Sequence, residues 1–116
     1  MLSEEKENFI RQKAKEHIPE TNEKISWSLH AVKKLRVEGL KKRGVEDSLK
    51  ECIIVEDYTM EGRPLPGCLV LGFIGSVPVH SAIAIDRDFD RIFVITVYKP
   101  SSERWENDWK TSKAKD

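Results

Sequence analysis

Chemistry near neutral pH falls in this chain to three histidines, His17, His30 and His80, because an imidazole changes charge close to pH 6.5. His80 sits in a run, Val77 to Ile85, that alternates like a strand, and Tyr98 closes the next such run before Pro100. A histidine beside a tyrosine supplies proton donors and acceptors suited to general acid–base work. A lone sheet histidine is more often a satisfied or simply exposed imidazole, so the pair needs support from its surroundings. A metal centre is not expected: there is no HExxH, no paired carboxylate motif and no CxxC around Cys52 and Cys68. No cofactor motif is present either.

Cations supply the second chemical signal. Net charge is zero, which argues against a globally basic nucleic-acid binder. Between His30 and Lys50, however, Lys33, Lys34, Arg36, Lys41, Lys42, Arg43 and Lys50 face only Glu38, Glu46 and Asp47, a local excess of four positive charges. Such a patch can focus an anionic ligand, and it reads equally well as a solvated helix face. Lys41-Lys42-Arg43 stands at the start of a predicted helix, where each exposed cation opposes the dipole by roughly 0.3–1 kcal/mol. A bound phosphate offsets that cost; salt screening does so too. Lys33, Lys41, Lys42 and Arg43 are the candidate nucleic-acid contacts.

The elements that position these residues follow from periodicity. Ser3 can cap a helix over about Glu4 to His17 with a thin apolar stripe of Phe9, Ile10 and Ala14, ended by Ile18-Pro19. Residues 1–24 therefore read as an N-terminal helical appendage to a single domain over residues 25–113. Ile25 to Ser28 reads as extended. Ser28 caps a helix in which Leu29, Val32 and Leu35 point inward and His30, Lys33, Lys34 and Val37 outward. Gly39 stops it. A second helix runs from Lys42 to Glu51 with Val45, Leu49 and Cys52 inward.

From Ile53 the period becomes two. Strands are predicted over Ile53 to Tyr58, Cys68 to Ile74, Val77 to Ile85 and Arg91 to Tyr98, with a loop over 61–67. Ser102 can cap a last helix that carries Trp105 and Trp109 on one face, anchored to the sheet. The fold class is α+β: N-terminal helices packed on a mainly antiparallel four-stranded sheet, with a short C-terminal helix. Alternation puts Val79, Ile83 and Ile85 on the core side with Phe93, Ile95 and Val97. His80 then shares the other face with Thr96 and Tyr98, across from Thr96 and diagonal to Tyr98 when Ile85 pairs with Arg91. Ala82 and Ala84 leave room on that face for a ligand or a covering element.

No run approaches the roughly 18 apolar residues of a membrane helix, and the acidic start Ser3-Glu4-Glu5 is not a secretory signal. The two cysteines are expected to be reduced and the protein cytoplasmic.

Several of these residues together resemble the domain of unknown function 4258 family. They are Ser28-Leu29-His30-Ala31, Lys34-Leu35, Gly39-Leu40, the strand ending at Tyr58, Leu69-x-Leu71-Gly72, Pro78-x-His80 and Ile95-Thr96-x-Tyr98-x-Pro100, spanning about Trp27 to Lys110. That family is similar to the RelE/ParE-like toxins, small α+β proteins that include messenger-RNA nucleases and commonly pair with an antitoxin. The resemblance implies a RelE-like fold, RNA as substrate, an antitoxin as partner and His30, Lys34, His80 and Tyr98 as site residues. Lys34 stands where arginine is expected, which loses the bidentate fork. Glu38 occupies another position that is usually basic. In such a nuclease His80 acts as general base or acid with His30 or Tyr98 as counterpart, and Lys34, with Arg43, steadies phosphoryl charge. The competing reading is a non-catalytic binding module of the same fold for a protein or nucleic acid.

Overall fold

The period-two segments form one sheet because each carries an apolar face that only pairing and covering can remove from water. In the computed structural model, which describes residues 1–58 and 65–113, the strands are β1 (Ile25–Trp27), β2 (Ile53–Tyr58), β3 (Gly67–Ile74), β4 (Val77–Asp86) and β5 (Arg91–Tyr98). Most of the loop expected over 61–67 lies outside the described residues. Strands β2 to β5 are antiparallel neighbours in the order β5-β4-β3-β2. The sheet has five strands rather than four. β1 adds to the β5 edge in parallel, pairing Ile25 with Ile92 and Trp27 with Val94, so the sheet is mixed. Three residues are too few to display a period, so the sequence shows β1 only as extended chain.

Helix α1 (Ser3–Glu16) buries Ile10 and Ala14 in the main core. Its apolar stripe is thin, and lysines complete the contact. The Lys6 ammonium is buried against Asp57 and the Gly67 carbonyl, and Lys13 pairs with Glu16 at 2.8 Å and Asp90 at 2.7 Å. Their stems cover apolar surface while their heads are paired, so α1 docks on the sheet and its turns.

Helix α2 (Leu29–Glu38) starts at Ser28, whose hydroxyl accepts the Ala31 N–H at 2.9 Å, and ends at Gly39 in a left-handed conformation, φ 68°. Its roll differs from the expected one. Ala31 and Leu35 are buried, whereas Leu29 and Val32 face solvent. The cause is where α2 lies, along the stretch of β5 that short β1 leaves unpaired. Ser28 Oγ donates to the Ile95 carbonyl, and Glu38 accepts the Lys99 N–H at 2.6 Å, fixing both ends. The helix expected over Lys42 to Glu51 is α3 (Lys42–Ser48) plus a 3₁₀ turn (Leu49–Glu51), with Val45, Leu49 and Cys52 buried as the spacing required.

α3 approaches β3 so closely that position 72 must be glycine: a Cβ there would stand 2.4 Å from the Ser48 carbonyl oxygen. The predicted C-terminal helix does not form. Residues 101–113 fold into turns closed by a Trp105–Ser112 bridge. The Asp108 carboxylate accepts the Lys110 and Thr111 N–H groups, each at 2.9 Å, and this local capture replaces helical bonding.

One face of the sheet carries the main core, in which Val70, Val79, Ile83, Ile85, Ile92, Val94 and Val97 meet the helices. The other carries a smaller cluster of Leu69, Ala82 and Trp105 with Val55, Tyr58, Ile95, Tyr98 and Trp109. Cys52 and Cys68 are free and buried, and burial pushes both thiols up to about 12, which leaves them unreactive. Among the described residues no helix is long and apolar enough to cross a membrane.

Candidate functional site

Two bulges aim side chains at the second face. On β5, Ile83 pairs with Val94 but Ala82 pairs with Thr96, so Ile95 is an extra residue. On β2, Ile54 pairs with Val70 but Glu56 pairs with Leu69, so Val55 is extra. Each insertion exchanges the faces beyond it. Ile92 and Val94 enter the main core, and strict alternation would send Thr96 and Tyr98 there as well. The bulge sends Val97 inward instead and turns Tyr98 outward. This corrects the expected core set of Phe93, Ile95 and Val97: of these only Val97 belongs to it. His80 pairs directly with Tyr98, and Ala82 with Thr96, two residues from the predicted register.

His80 is fully buried. Its Nδ1 lies 3.1 Å from the Tyr98 hydroxyl and its Nε2 2.7 Å from the Trp109 carbonyl. A carbonyl only accepts, so Nε2 carries the proton and donates; Nδ1 then accepts from the tyrosine hydroxyl. Trp105 stands edge-on to the imidazole, ring centres 4.5 Å apart and planes at 85°. Burial lowers the His80 pKa, outweighing the Trp109 hydrogen bond and the nearby Glu56 charge. The ring is neutral at pH 7 with both nitrogens engaged. Burial likewise pushes the Tyr98 phenol up to about 12, so it remains a donor.

Above this pair opens a cleft of about 500 Å³, lined by Lys34, Glu56, Tyr58, Tyr98, Lys99 and Arg104 among others. Lys34 reaches it from α2 and is held 3.8 Å from Glu38. Glu38 thus serves twice, steadying Lys34 and anchoring the Lys99 backbone. His30 is exposed on the same helix, its Nε2 3.1 Å from Thr96 Oγ1. Arg104 comes from the C-terminal turns.

The structure therefore gathers Lys34 and Tyr98 in one cleft, seats His80 beneath it and places His30 against Thr96, whose strand position faces the same side. The cations Lys33, Lys41, Lys42 and Arg43 lie elsewhere. Lys41 and Arg43 border a separate apolar groove near Leu40, Ile74 and Val77, and Lys42 rests 6.0 Å over the Trp27 ring. Glu56, Tyr58, Lys99 and Arg104 escaped the sequence reading. Tyr58 had a signal, since it ends a strand, but its face depends on the bulge at Val55. Among the described residues no cluster of three or more His, Cys, Asp or Glu side chains could hold a metal ion.

Residues 27–99 match the family model described as Domain of unknown function (DUF4258). The matched span holds His30, Lys34, His80 and Tyr98 and stops before Arg104 and Trp105. Nothing in that match links the chain to RelE/ParE-like toxins. No curated protein and no solved structure matches the chain.

Proposed function

The chain belongs to the DUF4258 family, and from that premise we propose that it is a small RNA-binding module whose Tyr98 cleft holds single-stranded RNA. The observation that carries this reading is the state of His80. Its proton is committed to Trp109 and its lone pair to Tyr98, so the cleft above it offers recognition groups rather than an unoccupied base. Lys34, Lys99 and Arg104 supply positive charge for phosphate, and the partly exposed Tyr98 ring supplies a stacking surface, the two parts of single-strand binding. Neutral net charge limits binding to this local patch.

The test is fluorescence anisotropy with a labelled single-stranded RNA at several salt concentrations. Lys34→Ala and Arg104→Ala each weaken binding by several-fold and flatten the salt dependence. Unchanged affinity in both variants removes the reading.

A metal-independent endoribonuclease of the RelE/ParE-like toxin type, restrained by an antitoxin, is the second reading. What favours it is His30, an exposed imidazole on the same helix as Lys34 and beside Thr96. Incubating the protein with RNA, with and without ribosomes, separates the two. Strand scission abolished by His30→Ala or His80→Ala selects the nuclease, and binding with intact RNA selects the module.

A further inference from the structure

Beyond the cleft, the same face of the sheet continues toward the β4–β5 turn. Alternate residues of β4 mark it: His80, Ala82, Ala84 and Asp86 pair with Tyr98, Thr96, Phe93 and Arg91. Tyr98, Thr96, Phe93 and Arg91 therefore form one row along β5, separated from β3 by the small side chains of Ala82 and Ala84. Six residues of strand rise make the row about 20 Å long.

Its far end is an aromatic–cation stack. The Arg91 guanidinium lies 5.2 Å from the centre of the Phe89 ring and 4.6 Å from that of Phe93. Asp86 takes its Nε at 3.2 Å and leaves the terminal nitrogens without a protein acceptor among the described residues. Phe89 is 73% exposed, an unusual position for a phenylalanine.

We infer that this row is a second nucleotide platform, so that single-stranded RNA runs along β5 from the Tyr98 cleft to the Phe89–Arg91–Phe93 stack. The inference rests on the RNA-binding reading of the cleft and adds the length and path of the ligand. At the 3.4 Å spacing of stacked nucleotides along one strand, 20 Å accommodates about six of them. Bases stack on Phe93 and Phe89, while phosphates meet Arg91 at one end and Lys34, Lys99 and Arg104 at the other. Aromatic faces accept any base, so little sequence preference is expected at the far end.

The experiment compares a labelled dinucleotide with a labelled hexanucleotide of uridine. Wild-type protein binds the hexamer at least tenfold more tightly. Phe89→Ala and Phe93→Ala each weaken hexamer binding by about five- to tenfold and leave dinucleotide binding unchanged, which also shows that the cleft is folded. Phe93→Trp retains the platform and restores hexamer affinity. If Lys34→Ala weakens both ligands while the phenylalanine variants bind the hexamer like wild type, the second platform is overturned and the cleft reading stands. If neither Lys34→Ala nor Arg104→Ala affects either ligand, the cleft reading itself fails.

Discussion

His80 and Ser81 are neighbours on β4 with opposite surroundings, and the contrast separates the two faces of the sheet. Both are buried. Ser81 points into the aliphatic core, where its hydroxyl finds no hydrogen-bond partner among the described residues. His80 points the other way and has partners for both nitrogens, supplied by a tyrosine and by the backbone of the C-terminal turns. The helix-covered face gains its stability from shape and apolar area, and tolerates a polar atom only at a cost. The second face is held by directional bonds and aromatic edges, so its geometry is fixed while its outer rim remains open. One face is closed by the helices; the other keeps an open cleft at its rim.

The strongest way to break the contrast is at Gly72, on the helix side. Gly72→Ala drives a Cβ into the Ser48 backbone carbonyl, which cannot swing aside, and destabilises the protein by about 3 kcal/mol. Urea unfolding measures this, and a variant as stable as wild type would show that α3 does not press on β3. The second face responds instead to acid. His80 has a folded pKa below its unfolded value near 6.5, so the unfolded state takes up its proton first as pH falls. Stability is full above about pH 6.5 and declines as pH drops from there toward the lowered folded pKa. His80→Asn flattens that part of the profile, as urea midpoints from pH 7.5 to pH 5 would register. An unaltered slope would assign the acid response to other groups. The smallest effect belongs to Ser81→Ala, which removes an unpaired hydroxyl and raises stability by up to about 1 kcal/mol, seen as a higher Tm. A fall in Tm would mean that the hydroxyl has a partner.

How far the sequence disclosed all this depends on where period two survives. β4 obeys it, and its two faces were legible residue by residue; β3 is apolar on both faces, so only its extent could be read. The sharing of a face by His80 and Tyr98 was legible too, although it was reached from the wrong phase at the start of β5. The error at Phe93 and the correct placement of Tyr98 have one cause, the extra residue at Ile95. The roll of α2 was hidden because Leu29 and Val32 look like core residues until the unpaired β5 edge is known. The C-terminal turns were hidden because Trp105 and Trp109 suit a helix, while the Asp108 side chain bonds its own neighbours and forms turns. The cleft was half legible: Lys34 and Tyr98 were foreseen, whereas Lys99 and Arg104 needed the fold.

The two bulges also make the cleft a matter of counting. Val55 and Ile95 act in β2 and β5 as a frameshift acts in a message: each is one letter, and everything downstream changes meaning. Deleting either exchanges inside for outside over the remainder of its strand, whereas substituting either leaves the frame intact. The faces that Tyr58 and Tyr98 present are therefore set by residue count before residue identity. In any set of related chains aligned on these strands, a one-residue gap at either position separates those that can present the aromatic row from those that turn it toward the helices.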